Sequence, residues 1–321
     1  MIYYITFLRA AAACLITNAH YEGIYPSSVI ANGGLLGDIL FFAVSGYCLC
    51  SVKKDFLPWY GKRIWRIYLP AILVTALYLH LGWYSTGYLT KAQWYIYPTG
   101  YHFLASIIVL YIPFYIIMKT EWLRTHLKAV MLAVAGVWMI TYVFFYDHSV
   151  YRIDTVWEPM IRFLLMESML LGAWFRQQDG KYRNQFRIST AVMTAASFFL
   201  YFGTKLLFSR NENLAPLQFF NQITIFILLY CILKLTAGLD AKLEAMPDPV
   251  KKTVRFIADR TLEIYVVQEA IIVQLGSVGP FPVNWLILTA SILAAASVLH
   301  WICRLVNRGV DIVIKKWRAS F

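Results

Sequence analysis

Residues 2–20 read IYYITFLRAAAACLITNAH, an apolar run interrupted by Arg9 and closed by His20. About 20 apolar residues carry an α-helix across the hydrocarbon core of a bilayer, and this segment has that length. It lacks the basic leader of a secretory signal peptide, and Arg9 breaks what would be its apolar centre. It therefore reads as a first membrane span. Nine further segments have the same character: 34–52, 64–84, 99–118, 128–146, 159–175, 188–208, 216–236, 254–276 and 284–303. The expected fold is an all-α polytopic membrane protein of about ten transmembrane helices. One transmembrane domain is expected over 1–321, with no appended soluble domain.

The composition of the whole chain agrees. Of 321 residues, 60 % are hydrophobic and only 14 % charged, and the mean hydropathy is +0.59. Globular proteins carry about 45–50 % and about 25 %, so a soluble enzyme with a water-facing surface is excluded, as are disordered, coiled-coil and disulfide-framed classes. The five cysteines are odd in number and form no Cys-x-x-Cys pair, which implies neither a disulfide frame nor a zinc site. No helix carries His, Asp and Glu at metal-ligand spacing, so no metal is expected. There is no internal repeat.

Net charge is +12, and its placement explains it. Of the 29 Lys and Arg residues, 22 lie in, or at the span edges of, the stretches between spans two and three, four and five, six and seven, and eight and nine, or after span ten. The alternate loops hold only Lys91, Arg152, Lys205 and Arg210. The positive-inside rule then puts both termini in the cytoplasm. The basic excess is a topology signal, and nucleic-acid binding is not needed to explain it.

Charged groups within membrane spans are costly and mark functional positions. Arg9 and His20 are 11 residues apart. On a helix that places them about 20° from a common face and roughly 16 Å apart. Arg9 then lies in the cytoplasmic half and His20 near the outer surface, along a stripe of Ala12, Ala13, Ile16 and Thr17. Such small residues either pack helices closely or leave a channel for a thin ligand. Asp38 falls at the outer end of span two, at the depth of His20. Two readings stay open for it: a carboxylate that orients His20 as a general base, or a separately wetted headgroup-level side chain. Lys62, Arg63 and Arg66 stand at the cytoplasmic mouth of span three. Arg63 and Arg66, three apart, suit a bidentate phosphate clamp, and they equally suit topological anchoring.

Other positions carry further expectations. Ser45-Gly46 is expected to be a packing notch and not a nucleophile. Arg260 and Glu263, three apart, are expected to pair within one helix. Glu269, in the outer half, is a site candidate, and Arg162 and Glu167 either pair with these charges or line an acceptor cleft. His80 and His300 are placed at span ends. An outer-side aromatic cluster, Trp83, Tyr84, Tyr88, Trp94, Tyr95, Tyr97 and Tyr101, belongs to the interfacial belt or stacks on sugar rings.

Read in order, Arg9-x10-His20, then Gly37-Asp38-x-x-Phe41-Phe42-x-x-Ser45-Gly46-Tyr47, then Arg63-x-x-Arg66-x-x-x-Pro70, resemble the acyltransferase-3 family. These are transmembrane O-acyltransferases of bacterial cell-envelope glycans. The likeness continues in Tyr101-His102-Phe103-Leu104, in Phe163 to Gly172 and in Thr261 to Glu269, covering nearly the whole chain. The resemblance implies a multi-pass protein of the cytoplasmic membrane, acetyl-CoA (or another acyl-CoA) as donor, and a cell-surface glycan or its lipid-linked precursor as acceptor. The family's Arg and His fall on Arg9 and His20, and its Arg-x-x-Arg on Arg63 and Arg66. By this likeness Lys62, Arg63 and Arg66 hold coenzyme A phosphates, Arg9 lies along the donor arm, and His20 deprotonates the acceptor hydroxyl with Asp38 orienting it. Direct transfer and an acyl-histidine both stay open. His102, Arg162, Tyr265, Gln268 and Glu269 are the candidate acceptor-side residues. Two departures stand out: Gln268 occupies a position the family commonly fills with His, and His102 one that is often Trp. A glycan transporter and a non-catalytic family relative are the rival readings.

Overall fold

The structure, a computed structural model, describes residues 2–85, 87, 89–96, 102–155 and 159–319, with His102 and residues 313–319 described through their backbone alone. All regular structure among the described residues is helical. The helices are α1 (Tyr3–Ala19), α2 (Gly34–Leu49), α3 (Phe56–His80), α4 (Lys91–Ile96), α5 (His102–Lys119), α6 (Glu121–Thr125), α7 (Leu127–Phe145) and α8 (Ile161–Gln177). They continue as α9 (Asp179–Tyr182), α10 (Ile188–Arg210), α11 (Phe219–Gly238), α12 (Asp240–Glu244), α13 (Asp248–Asp259), α14 (Thr261–Leu275) and α15 (Val283–Ala319).

Four of these are long and apolar enough to cross a membrane: α7, α10, α11 and the stretch Val283–Ile312 of α15. Gly34–Leu49 and Phe103–Lys119 are shorter apolar helices. Phe144, Phe145 and Phe199 lie on the outside, each more than 70 % exposed, as suits a surface that faces lipid. The chain is a multi-pass membrane protein.

Every segment read as a span contains a helix, but three differ in extent. α3 starts at Phe56, eight residues before the expected boundary, with Pro58 in its first turn, where a missing amide costs nothing. Lys62, Arg63 and Arg66 are thereby helical and not a loop at the helix mouth. At the other end α3 stops at His80, because Gly82 turns the chain with φ +71°. The ninth segment is two helices. Arg260 (φ −112°, ψ 13°) separates α13 from α14, so it lies between two helices. The charged face of α13 (Asp248, Lys251, Lys252, Arg255) cannot follow the apolar, largely buried α14 into hydrocarbon. The tenth segment runs on as helix to Ala319.

The chain divides into two compact units. The first comprises Met1–Cys14, Leu35–Tyr60 and His102–Ala258. Its centre is α2, buried on nearly every side from Leu35 to Tyr47 and in close contact with α8. Gly46 faces the Met169 backbone, and Gly172 faces that of Ala43. As the numbers rise on one helix they fall on the other, so the pair is antiparallel. A Cβ at either glycine would overlap backbone of the opposite helix, so only glycine allows this approach. Ser45-Gly46 is thus the packing notch expected. At the start of α1 the free amide of Tyr4 donates to Asp240 Oδ1 (2.7 Å), and Arg183 Nε donates to Asp240 Oδ2 (2.6 Å). Tyr4 Oη donates to Asp179 (2.6 Å), and Arg176 donates to Tyr47 Oη (2.8 Å). At the start of α11, Gln218 Oε1 accepts from the amides of Arg152 and Ile153 (both 2.9 Å), which ties the preceding loop down.

The second unit comprises Leu15–Gly34, Gly61–Tyr101 and Asp259–Phe321. It is built on α3, α14 and α15 with the last turn of α1. Tyr78 Oη donates to the Val267 carbonyl (3.1 Å) and pins α3 to α14. Trp65 Nε1 donates to Asn307 Oδ1 (2.8 Å) and pins α3 to α15.

Candidate active site

Seven of the candidate residues, His20, Lys62, Arg63, Arg66, Tyr265, Gln268 and Glu269, belong to the second unit. The last turn of α1 is fixed there by hydrogen bonds. Asn18 Nδ2 donates to the carbonyls of Ile30 (2.8 Å) and Asn32 (3.0 Å), and Tyr25 Oη donates to Asn18 Oδ1 (2.8 Å). Tyr21 Oη bonds Thr289 Oγ1 of α15 (2.8 Å). These bonds order the chain just beyond His20, where a free helix end would fray.

Thr17 Oγ1 donates to Gln268 Oε1 at 2.7 Å, joining α1 to α14. Gln268 is completely buried, and its Nε2 has no partner among the described residues. Thr17 stands in the last turn of α1 and its carbonyl accepts from the amide of His20 just beyond the helix (3.1 Å), and Gln268 and Glu269 are consecutive on α14. The Glu269 carboxylate lies within electrostatic reach of the His20 imidazole. His20 is half-buried and forms no hydrogen bond through its ring to a described residue, whereas Glu269 is exposed. Tyr265, one turn before Glu269, is buried. The result is an imidazole with a carboxylate in electrostatic reach, open on one side, beside a sealed and half-satisfied amide. Such an arrangement suits proton transfer from a bound hydroxyl.

The basic residues of α3 lie within about 100° of its circumference. Lys62 and Arg66 are exposed and make no ion pair with a described residue, and Arg63 is half-buried. The Trp65–Asn307 bond brings α15 alongside, and Arg304 and Arg308, both exposed, flank Asn307. A polyanion at this end of α3 therefore meets cations from two helices. In the sequence alone, Arg304 and Arg308 are legible only as part of the basic stretch after span ten.

Two expectations in this unit need correction. His300 is not at a helix end: it lies well inside α15, where its Nδ1 is 2.8 Å from Glu263 Oε1. Glu263 thus finds a partner on another helix, and Arg260, outside α14, shares no helix with it. Within the aromatic cluster the rings stack on each other: Tyr84 on Trp94 (4.2 Å between centroids), and Tyr78 against Trp83 and Tyr84. Trp94 is buried in this stack, whereas Tyr95 is exposed. Tyr88, Tyr97 and Tyr101 lie outside the described residues.

In the first unit, Arg9 is half-buried on α1. Asp38 is buried on α2, and its carboxylate forms no hydrogen bond among the described residues. Arg162, at the start of α8, has no ion-pair partner among the described residues, and one oxygen of the buried Glu167 has no hydrogen bond there. His102 begins α5, but its side chain lies outside the described part of the structure. Among the described residues no three His, Cys, Asp or Glu side chains gather as a metal ion requires.

The family model for the acyltransferase-3 domain, described as an acyltransferase domain, matches residues 2–303. No curated protein and no solved structure matches the chain. The match takes in both units, the His20–Glu269 pair and the basic face of α3, and it ends within α15 just past His300. A multi-pass helical protein matched over nearly its whole length in this way belongs to the acyltransferase-3 family.

Proposed function

We propose that the chain is an integral membrane O-acyltransferase that moves an acetyl or similar acyl group from cytoplasmic acyl-CoA to a hydroxyl of a cell-surface polysaccharide or its lipid-linked precursor. The observation that carries the reading is the imidazole of His20, unbonded and partly open, beside the Glu269 carboxylate in a chain of an acyltransferase family. A neutral imidazole free of hydrogen bonds is available to take a proton, and a nearby carboxylate stabilises the imidazolium that forms.

The donor is an anion at one end and thin along the rest. Lys62, Arg63 and Arg66, with Arg304 and Arg308 beside them, suit its phosphates. His20 is the general base. Arg9 and Asp38 are assigned to donor binding and to the base by their places in the family's order of motifs. Tyr265, Gln268, Glu269, Arg162 and His102 are the acceptor-side candidates. Ten crossings with both termini in the cytoplasm, in the inner membrane of a bacterial envelope, fit the distribution of Lys and Arg. No metal enters this scheme, and no nucleic acid.

The test is a transfer assay with labelled acetyl-CoA and lipid-linked glycan. His20→Ala should lose transfer while retaining normal expression and normal donor binding. Full transfer by that variant would sink the assignment of His20. A wild-type protein that moves glycan without consuming acetyl-CoA would favour a transporter instead.

A further inference from the structure

A buried donor that meets no acceptor is costly and rare in folded proteins, and one that persists marks a place where a ligand atom fits. Gln268 is such a donor, fully buried with Nε2 unpartnered among the described residues. It differs from other buried unpartnered groups, such as Thr75 Oγ1, in its neighbours. Thr17, bonded to its other end, stands one turn before His20, and Glu269 follows it directly on α14. The Thr17 hydroxyl holds the amide oxygen at 2.7 Å and so fixes which way the NH2 group points. The amide is sealed from solvent, while Glu269 beside it is exposed. A hydrogen bond made in such a dry place is worth far more than one made in water.

We propose that the Gln268 carboxamide, held by Thr17, donates a hydrogen bond from Nε2 to the carbonyl oxygen of the acyl thioester as His20 activates the acceptor hydroxyl. This rests on the acyltransferase reading above. The hydroxyl oxygen adds to the carbonyl carbon while its proton passes to the His20 imidazole. The C=O π electrons move onto the carbonyl oxygen, which takes the hydrogen bond from Nε2. Collapse re-forms C=O and breaks the C–S bond. The departing thiolate takes the proton from the imidazolium, leaving His20 neutral and Gln268 unchanged. Gln268 is thereby a catalytic residue and Thr17 a positioning residue.

The experiment uses the full chain in nanodiscs with labelled acetyl-CoA. It measures donor affinity, release of free CoA with water as acceptor, and melting temperature. Gln268→Met and Gln268→Leu keep the bulk and remove the donor. Both should lower CoA release about 10²–10³-fold, the usual loss for an oxyanion donor, with donor affinity unchanged. Thr17→Val should give a smaller loss in the same parameter. Combined Thr17→Val and Gln268→Leu replaces both partners by apolar groups and should melt close to wild type while CoA release stays lost, which separates loss of the oxyanion donor from loss of stability; a merely structural bond would let CoA release recover along with the melting temperature. A folded Gln268→Met variant that releases CoA at the wild-type rate, while His20→Ala does not, overturns the role of Gln268 and leaves the acyltransferase reading standing. A loss confined to donor affinity also overturns it. A wild-type protein that neither binds acetyl-CoA nor releases CoA overturns the acyltransferase reading and the role of Gln268 with it.

Discussion

Replacing Gly46 by alanine tests the closest helix contact in the first unit. The added Cβ would overlap the Met169 carbonyl oxygen and stand 2.8 Å from Met169 Cα. Ordinary contact between carbon atoms begins at about 3.5 Å, so α2 and α8 must part by roughly 1 Å over this turn. The obstacle is backbone, which cannot swing aside as a side chain does. Overpacking of this kind costs about 1–3 kcal/mol, with backbone clashes at or above the upper end. The higher helix propensity of alanine returns up to about 1 kcal/mol, leaving a net loss of roughly 2 kcal/mol. At about 2–4 °C per kcal/mol the melting temperature should fall by roughly 4–8 °C. The assay is thermal unfolding in detergent, followed by a dye that reacts with the buried thiols of Cys231 and Cys303 as they become exposed. Gly172→Ala should behave alike, because its Cβ would overlap the Ala43 backbone, and the double variant should lose less than the sum, since one contact is shared. Gly136→Ala on α7 and Gly203→Ala on α10, where a Cβ meets nothing within 4 Å, are the controls and should not melt lower. The reasoning is refuted if Gly46→Ala melts with wild type, or if the controls fall as far.

Three further outcomes follow from the same structure. Ser45→Ala should leave acyl transfer at the wild-type rate, since Ser45-Gly46 serves packing; a transfer rate down a hundredfold would revive Ser45 as a nucleophile. His300→Ala removes the partner of Glu263, and should cost about 1–3 kcal/mol in the same melting assay, whereas a paired change of both residues to leucine should recover most of that loss. Equal melting of the single and paired variants would show that the bond carries nothing. Arg63→Ala combined with Arg66→Ala should weaken acetyl-CoA binding at least tenfold, about 1.4 kcal/mol, with a shallower dependence on salt; unchanged affinity would place the phosphates elsewhere.

Much of the fold is legible because a membrane imposes one rule: apolar runs near the length of a crossing become helices. That rule finds residues 2–20 and 188–208 nearly to their ends. It does not find the break at Arg260, because the apolar run continues through a residue where α13 gives way to α14. It does not set the start of α3 either, since Phe56 to Lys62 is too polar to score as a span yet carries nothing that stops a helix. The basic face of α3 is legible as a spacing, three and four residues apart on one side. The contacts that shape the site are not. Thr17 and Gln268 are 251 residues apart in the chain, and Glu263 and His300 are 37 apart. Nothing local in either segment announces its partner. Gln268 is legible as an acceptor-side candidate and as a departure from a familiar motif; its burial with one end unsatisfied depends on the packing of α1 against α14.

The central claim is that this family member consumes an acyl-CoA through His20. The most direct measurement is the release of free CoA from labelled acetyl-CoA by the purified full chain in nanodiscs, run beside His20→Ala at matched protein concentration. The account predicts slow thioester cleavage by the wild-type protein, and retained donor binding without cleavage by the variant. Equal cleavage by the two proteins would contradict it.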